Sequence, residues 1–143
     1  KEQVPLESFY KKQKINKKKN TAEVILFNIL YMFMNCDFDV LDKEAEIIEN
    51  TMRELTDEEK KTIESQIKDN ENIISKGFDK IKSRTMEMGK LINETKDSEG
   101  IKKSFIEVIK AMILIDGVIH KNEKTMFNEL CKLWDVESAL EIE

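Results

Sequence analysis

Apolar residues recur at steps of three and four along most of the chain, which is the spacing of side chains on one face of a helix. The first stripe follows Asn20 and Glu23, a residue pair typical of a capping box at a helix start. The stripe is wide, so it predicts a central helix. Its members are Ile25, Leu26, Ile29, Leu30, Phe33 and Met34, with Val24, Phe27 and Tyr31 beside them.

Weaker helical patterns follow in the middle of the chain. Thr56 and Glu59 predict the start of a highly charged helix. Apolar residues between positions 73 and 92 predict another helix or a pair, bent near Gly77, because glycine costs about 1 kcal/mol in a helix interior. The segment from Asp97 to Gly100 is typical of a turn. With one proline and four glycines in 143 residues, the chain is predicted to be a single all-α domain.

The last third of the chain contains a second copy of the first helix and of the sequence that follows it. A shift of 79 positions aligns residues of about 22–55 with residues of about 101–134. We therefore predict a duplicated helical hairpin within one domain that spans residues 20–143. The aligned apolar pairs include Leu26 with Phe105, Ile29 with Val108, Met34 with Ile113, and Leu55 with Trp134.

Each copy contains an acidic turn between its two helices. Asp37 and Glu44 are seven residues apart in the first turn, and Asp116 and Glu123 have the same spacing in the second. The macrodipole disfavours an aspartate at the C-terminal end of a helix by roughly 0.3 to 1 kcal/mol. A compensating interaction is therefore expected at both Asp37 and Asp116.

One interpretation of the acidic turns is structural. Aspartate side chains bond loop amides in tight turns, and Gly117 suits the left-handed position after a helix end. If the residue three positions earlier is the N-cap, Glu44 and Glu123 occupy the helical position that bonds back to the cap amide. Val40 and Ile119 are then expected to pack into the core.

A second interpretation is a metal site shared by the two turns. Pseudo-symmetric packing would bring their carboxylates together, and an oxygen-rich cluster suits a hard cation such as calcium, with its about six to eight oxygen ligands. An EF-hand is excluded, because the twelfth position counted from either leading aspartate is Ile48 or Phe127. The candidate ligands are Asp37, Asp39, Glu44, Asp116 and Glu123.

Other reactive side chains add little to this picture. His120 lies beside the second turn, but a lone histidine more often has a surface or capping role than a metal or acid-base role. Cys36 and Cys131 are predicted to be buried hydrophobic residues, since the chain has too few partners for a zinc or disulfide framework. Because no nucleophile lies beside a base and no glycine-rich phosphate loop occurs, we do not expect an enzyme.

Charge is unevenly distributed between the two ends of the chain. Residues 1–19 form a basic arm with seven lysines and two glutamates, whereas the whole chain has a net charge of −5. The remainder is therefore acidic. The arm is a candidate for contact with nucleic acid or an anionic membrane surface, but it lacks arginine and a base-reading motif, which favours a solvated or self-docking arm.

No apolar run approaches the roughly 20 residues needed to cross a bilayer. We expect a cytoplasmic location on this basis. The chain begins at Lys1 rather than Met, which is compatible with a processed or excised piece of a longer protein.

Residues 111–123 combine small and apolar residues with Asp-Gly, an aliphatic residue and a glutamate. This pattern resembles the TerB-like family, named for the tellurite-resistance protein TerB and also found as a module in larger proteins, including a membrane-anchored J-domain co-chaperone. Residues 30–44 resemble the family less closely, with Phe38 in place of the glycine.

The resemblance implies an all-α bundle of about seven helices with a duplicated hairpin. It also implies a divalent-metal site at Asp37, Glu44, Asp116 and Glu123. We therefore expect a non-enzymatic module that binds calcium or another divalent cation and acts in stress response or signalling through an unidentified protein partner. The alternative is a metal-free protein-interaction scaffold or a co-chaperone-type adaptor domain.

Overall fold

The computed structural model describes residues 21–95, 97–115 and 117–137. This part of the chain forms six helices and contains no strand, which confirms the prediction of an all-α fold. The basic arm predicted over residues 1–19 lies outside the described residues. The helices are α1 (Ala22–Asn35), α2 (Asp42–Arg53), α3 (Asp57–Ser75), α4 (Phe78–Asn93), α5 (Ser98–Ile113) and α6 (Lys121–Trp134).

Local capping explains where the first and third helices begin. Thr21 is the N-cap of α1, and its Oγ1 accepts a hydrogen bond of 3.3 Å from the Val24 N–H. The prediction that placed this cap at Asn20 is therefore wrong by one residue. Thr56 and Glu59 form the predicted reciprocal box at the start of α3, with bonds of 3.1 and 2.9 Å. Such caps satisfy backbone donors that have no partner within the helix.

Two helix junctions bear on the sequence-based expectations. Gly77 separates α3 from α4 as an N-cap with φ of 106°, which supports the predicted pair of helices over the alternative of one helix bent near Gly77. This positive φ favours glycine, because a side chain is strained there. Asp97 is the N-cap of α5, so Ser98–Gly100 form the first turn of that helix and the predicted turn is wrong.

Helices α1 and α4 form the centre of the bundle. α1 contacts α2, α3, α4 and α5, while α4 also contacts α3, α5 and α6. Nine of the 14 residues of α1 are buried, as expected for a helix with neighbours on most sides. Despite this apolar character, no helix among the described residues has the length and apolarity needed to cross a lipid bilayer. Fully buried side chains from the other helices include Ile63, Ile81, Met88, Ile109, Phe127 and Trp134.

A buried amide network joins α3 to α1. The Asn28 Nδ2 donates hydrogen bonds of 3.0 Å to the Gln66 Oε1 and to the Val24 carbonyl oxygen. The Asn70 Nδ2 donates a bond of 2.6 Å to the Asn28 Oδ1, and both asparagines are fully buried. α3 buries Ile63 but few other apolar side chains, so this network contributes directly to its placement.

The closest helix approach in the core involves a glycine of α4. A Cβ added at Gly89 would lie 2.7 Å from the Leu130 Cδ1 and 2.9 Å from the Leu133 Cδ2, so α6 crosses α4 where the side chain is absent. The indole Nε1 of Trp134 donates a hydrogen bond of 2.8 Å to the Gly89 carbonyl oxygen. Trp134 is thereby buried with its polar atom satisfied.

Candidate metal centre

The two acidic turns have matching backbone conformations. In the first turn α1 ends at Asn35, Phe38 has φ of 62°, and α2 begins after the N-cap Leu41. In the second turn Gly117 has φ of 79° and α6 begins after the N-cap His120. The left-handed residues and the N-caps are each related by the shift of 79 positions found in the sequence.

A buried glutamate stabilises the helix start that follows each turn. The Glu44 Oε1 accepts a hydrogen bond of 3.0 Å from the Leu41 N–H, and the Glu123 Oε1 accepts one of 3.1 Å from the His120 N–H. The predicted return bonds to the cap amide are therefore confirmed. Glu44 and Glu123 are 2% and 1% exposed, which places both carboxylates inside the protein surface.

Side chains of the second hairpin bring the two turns into contact. The Asn122 Nδ2 donates a hydrogen bond of 2.7 Å to the Cys36 carbonyl oxygen at the end of α1. The Nε2 of His120 lies 3.4 Å from the Oδ2 of Asp37. Residues 86 positions apart are thus in direct contact, so the turns lie at the same end of the bundle.

Asp37 has one oxygen engaged within its own turn and one that faces the second turn. The Oδ1 accepts a hydrogen bond of 3.1 Å from the Asp39 N–H, as expected for an aspartate in a tight turn. The Oδ2 is buried and accepts no hydrogen bond, and the side chain as a whole is 10% exposed. A buried carboxylate oxygen is unfavourable without a compensating donor or cation, and the His120 Nε2 at 3.4 Å is the neighbour that can supply one when it carries a proton.

Three potential metal ligands converge where the two turns meet. One side-chain atom from each of Asp37, His120 and Glu123 lies within 4.8 Å of the other two. Two ligands of one ion are separated by at most twice the metal–ligand distance, roughly 4 to 5 Å for ions from zinc to calcium. The donor set of two carboxylates and one imidazole therefore fits a single divalent ion. Further ligands would be water or other protein oxygens.

The electrostatic environment is strongly negative around this trio. The pKa of the Glu123 carboxyl is raised to about 7, mainly by burial and further by the charges of Asp37 and Glu44, against the lowering effects of the His120 N–H and imidazole. Burial also raises the pKa of the Cys36 thiol, assisted by the charges of Glu123, Asp37 and Glu44. A divalent cation would relieve this repulsion.

The structure brings together part of the predicted ligand set. Asp37 and Glu123 belong to the trio, and Glu44 lies close enough to act on Glu123. Asp39 contributes its backbone N–H to Asp37, but its side chain is exposed and is not part of the trio. Asp116 lies outside the described residues, so its predicted role stays a prediction.

Two local expectations change in the structure. His120 is the N-cap of α6, in agreement with a capping role, but its ring also faces Asp37 and makes it a candidate ligand. The alignment places His120 opposite Leu41, and nothing in the sequence marks this position as one that contacts the other turn. Val40 is 47% exposed, so its predicted packing into the core is wrong, whereas Ile119 does pack against the core.

The two cysteines are buried, as predicted, and Cys36 and Cys131 form no disulfide bond.

Comparison with known proteins finds no family model, no curated protein and no solved structure that matches this chain.

Proposed function

We propose that the protein is a non-enzymatic module that binds a divalent cation between its two turns, through Asp37, His120 and Glu123. The observation that carries the proposal is that ligand atoms of Asp37, His120 and Glu123 lie within 4.8 Å of one another, with the buried Oδ2 of Asp37 3.4 Å from the His120 Nε2. Buried charges are ordinarily paired or bound to metal, and a cation supplies both the charge and the missing contact. Asp116 and Glu44 are further candidate ligands.

The chemistry of the donors favours some ions over others. Imidazole nitrogen suits zinc, manganese and related transition ions, whereas calcium prefers an all-oxygen shell. Calcium, the ion predicted from the sequence, would coordinate Asp37, Glu123 and water, with Glu44 or Asp116 as an additional oxygen ligand. The role of His120 therefore distinguishes the two kinds of ion.

Isothermal titration calorimetry of the full chain with calcium, magnesium, manganese and zinc tests the proposal. Asp37→Asn and Glu123→Gln each remove an anionic ligand and should weaken the preferred ion at least about tenfold, or about 1.4 kcal/mol. Gln at position 123 keeps the acceptor for the His120 N–H, so the helix start is preserved. Asp116→Asn tests the remaining sequence-predicted ligand.

Matched variants of the first hairpin separate metal binding from general electrostatics. Glu44→Gln changes the aligned glutamate and keeps the cap acceptor, and Asp39→Asn removes an exposed charge beside the site. His120→Leu introduces the residue that caps α2 and should weaken zinc or manganese more than calcium. Absence of any dissociation constant below about 1 mM, or equal binding by Asp37→Asn and the native chain, would remove the proposal.

The second candidate function is a metal-free interaction scaffold or a co-chaperone-type adaptor. It is favoured by the cap bonds of Glu44 and Glu123, because these bonds give both glutamates a structural reason to be present. On this reading the native chain shows no ion-dependent heat, and Glu123→Gln and Glu44→Gln lower the unfolding midpoint by similar small amounts.

We also propose, from the sequence resemblance, a TerB-like arrangement of about seven helices and a cytoplasmic role in stress response or signalling. The duplicated turns support this proposal, since their left-handed residues and N-caps follow the same shift as the sequence. Gene neighbourhood tests it: a tellurite-type operon or a fused J-domain favours the TerB-like role, and neighbours of unrelated function in several genomes argue against it.

A further inference from the structure

The two carboxylates of the trio formed by Asp37, His120 and Glu123 each have one oxygen engaged by the backbone. The Asp37 Oδ1 accepts the Asp39 N–H at 3.1 Å, and the Glu123 Oε1 accepts the His120 N–H at 3.1 Å. These bonds stabilise the first turn and the start of α6, and coordination through both oxygens of either carboxylate would compete with them. We therefore expect each carboxylate to bind an ion through one oxygen.

The trio consequently supplies a small set of protein donors, with one oxygen from each carboxylate and one nitrogen from His120. Among the described residues, no other histidine, cysteine or carboxylate belongs to the group whose ligand atoms lie within 4.8 Å of one another. Calcium takes about six to eight oxygen ligands, so the trio would provide only a minor part of its shell. Zinc, in contrast, is commonly held by three protein ligands together with water. The number of donors favours zinc.

The imidazole lies at a distance from Asp37 that suits two ligands of one ion. The His120 Nε2 is 3.4 Å from the Asp37 Oδ2, and this oxygen accepts no hydrogen bond. A charge-assisted hydrogen bond from nitrogen to a carboxylate is ordinarily about 2.7 to 2.9 Å long. Two ligands of a tetrahedral zinc ion, with bonds of about 2.0 to 2.2 Å, are roughly 3.3 to 3.6 Å apart. The observed separation therefore agrees better with shared coordination than with a direct hydrogen bond.

The identity of the exposed donor points to the same class of ion. The His120 side chain is 36% exposed, whereas the Asp37 side chain is 10% exposed and Glu123 is 1% exposed. Solvent therefore reaches the trio mainly past the imidazole. Imidazole nitrogen is a good ligand for zinc and related transition ions, whereas calcium selects oxygen. An ion that enters here meets the donor that calcium uses least.

We propose that the trio selects a transition-metal ion of the zinc class over calcium, with the His120 Nε2 as its nitrogen ligand and Asp37 and Glu123 as single-oxygen ligands. The inference rests on the proposed function, because it names the class of ion that the site between the turns binds. It replaces calcium, the ion predicted from the sequence, and makes the lone histidine the residue that determines ion selectivity.

His120 is the only histidine in the 143 residues, so its ring gives an unambiguous spectroscopic signal. Long-range proton–nitrogen correlation spectra are recorded on the isotope-labelled, untagged and metal-free full chain, and then with zinc, calcium or magnesium. Zinc should move the Nε2 resonance and saturate this change at about one equivalent, as expected for a single site. Calcium and magnesium should leave the Nε2 resonance in place.

Calorimetry on the same chain gives the order of affinities. Zinc should bind at least about 100-fold more tightly than calcium, a difference of about 2.7 kcal/mol. His120→Leu introduces the residue that occupies the aligned cap of α2 and should weaken zinc at least about tenfold. Asp39→Asn removes an exposed charge beside the site but keeps the backbone donor to Asp37, so zinc affinity should fall by less than about threefold. Circular dichroism confirms that both variants fold.

A separate variant tests the thiol of Cys36, which is buried and lies near the charges of Glu123 and Asp37. Thiolate is a strong zinc ligand, but Cys36 does not belong to the group within 4.8 Å. Cys36→Ala should therefore keep the zinc affinity within about threefold of the native value. Loss of zinc binding in Cys36→Ala would assign the ion to the thiol and overturn the inference.

The remaining outcomes distinguish failure of the inference from failure of the proposed function. If no ion binds with a dissociation constant below about 1 mM, both fail. If calcium or magnesium binds as tightly as zinc, the site holds a cation but the inferred selectivity is wrong. If zinc binds without moving the Nε2 resonance, or binds the native chain and His120→Leu equally, the imidazole is not a ligand and the inference is likewise overturned.

Discussion

The two hairpins share one turn geometry but differ in where their second helix lies. α2 packs against α1 and buries Ile48 together with Glu44, and Leu55 follows it at 6% exposure. α6 packs against α4 and ends on Trp134, the residue aligned with Leu55, at 1% exposure. The second helix of the second copy therefore contributes more to the core than α2 does, with Met126, Phe127, Leu130 and Cys131 also buried.

The two turns differ in their side chains although their backbones match. The first copy has an exposed phenylalanine at the left-handed position, where the second copy has glycine. The first copy also provides the buried Asp37, while the second provides the imidazole that faces it. The backbone of the hairpin thus tolerates very different side chains at aligned positions.

The largest expected difference between the hairpins is at the aligned positions Leu55 and Trp134, at the C-terminal ends of their second helices. Trp134→Ala should lower the free energy of unfolding by about 3 to 5 kcal/mol, because it opens a large cavity and removes the bond to the Gly89 carbonyl. Leu55→Ala should lower it by about 2 kcal/mol. Urea denaturation followed by circular dichroism measures both.

Trp134→Phe is the control for the hydrogen bond, since it keeps an aromatic ring but leaves the Gly89 carbonyl without its donor. We expect a loss of about 1 to 3 kcal/mol, between the native chain and Trp134→Ala. An equal or larger effect of Leu55→Ala than of Trp134→Ala would contradict the greater contribution expected of Trp134.

The second prediction concerns Gly89, where α4 and α6 approach each other most closely. Gly89→Ala should lower the free energy of unfolding by about 1 kcal/mol or more, because the added Cβ lies 2.7 Å from the Cδ1 of the buried Leu130. Gly100→Ala is the matched helical control, and its nearest neighbours are Asp97 oxygens at 3.8 Å. It should raise stability by about 0.5 kcal/mol through helix propensity. Thermal unfolding of both variants should shift in opposite directions, and equal shifts contradict the crossing.

The third prediction concerns pH and the two aligned glutamates. The pKa of the Glu123 carboxyl rises from its ordinary 4.5 to about 7 in the folded protein. Between these values the folded state holds a proton that the unfolded state has released, so the free energy of unfolding falls as the pH rises. The contribution of Glu123 is fully present below about pH 4.5 and is lost as the pH rises through about 7. Denaturation from about pH 5 to pH 8, with EDTA present, should therefore show a declining urea midpoint in the native chain.

Glu123→Gln should flatten this decline, since glutamine does not titrate and still accepts the His120 N–H. Glu44→Gln provides the comparison in the first hairpin and should retain the part of the decline that Glu123 causes. A slope that persists unchanged in Glu123→Gln would mean that another group is responsible for the pH dependence.

The smallest effects are expected at the left-handed positions. Gly117→Ala should cost about 1 kcal/mol, because its φ of 79° strains a side chain even though no atom lies within 4 Å of the added Cβ. Phe38→Gly should change stability by less than about 1 kcal/mol, since relief of strain offsets the lost contacts and the greater freedom of the unfolded chain. A loss at Phe38 as large as that of Trp134→Ala would contradict the exposed position.

Local chemistry was the part of the fold that sequence could predict. The box of Thr56 and Glu59 and the return bonds of Glu44 and Glu123 depend on residues three positions apart, and all three are confirmed. Asn20 was mistaken for Thr21 as a cap because both residue types cap helices and the pattern does not distinguish neighbouring positions.

The same local sequence patterns could not predict contacts between residues far apart in the chain. Val40 was expected in the core from its β-branched side chain, but its exposure depends on how the turn is oriented over α1. The proximity of His120 to Asp37 depends on the packing of α6 against the rest of the bundle, and no local pattern encodes that distance.

The amide network of Asn28, Gln66 and Asn70 has a consequence for how α3 finds its place. A highly charged helix with few buried apolar residues can slide or rotate along its neighbour with little change in hydrophobic burial. The hydrogen bonds of Asn28 to Gln66 and Asn70, in contrast, form in one position only, and a shift of one turn breaks them and leaves more buried polar atoms without a partner than the Asn70 Oδ1 alone. The asparagines therefore fix the position of α3 along α1. The substitution Asn28→Leu would bury more apolar surface but would remove the hydrogen bonds that specify this position.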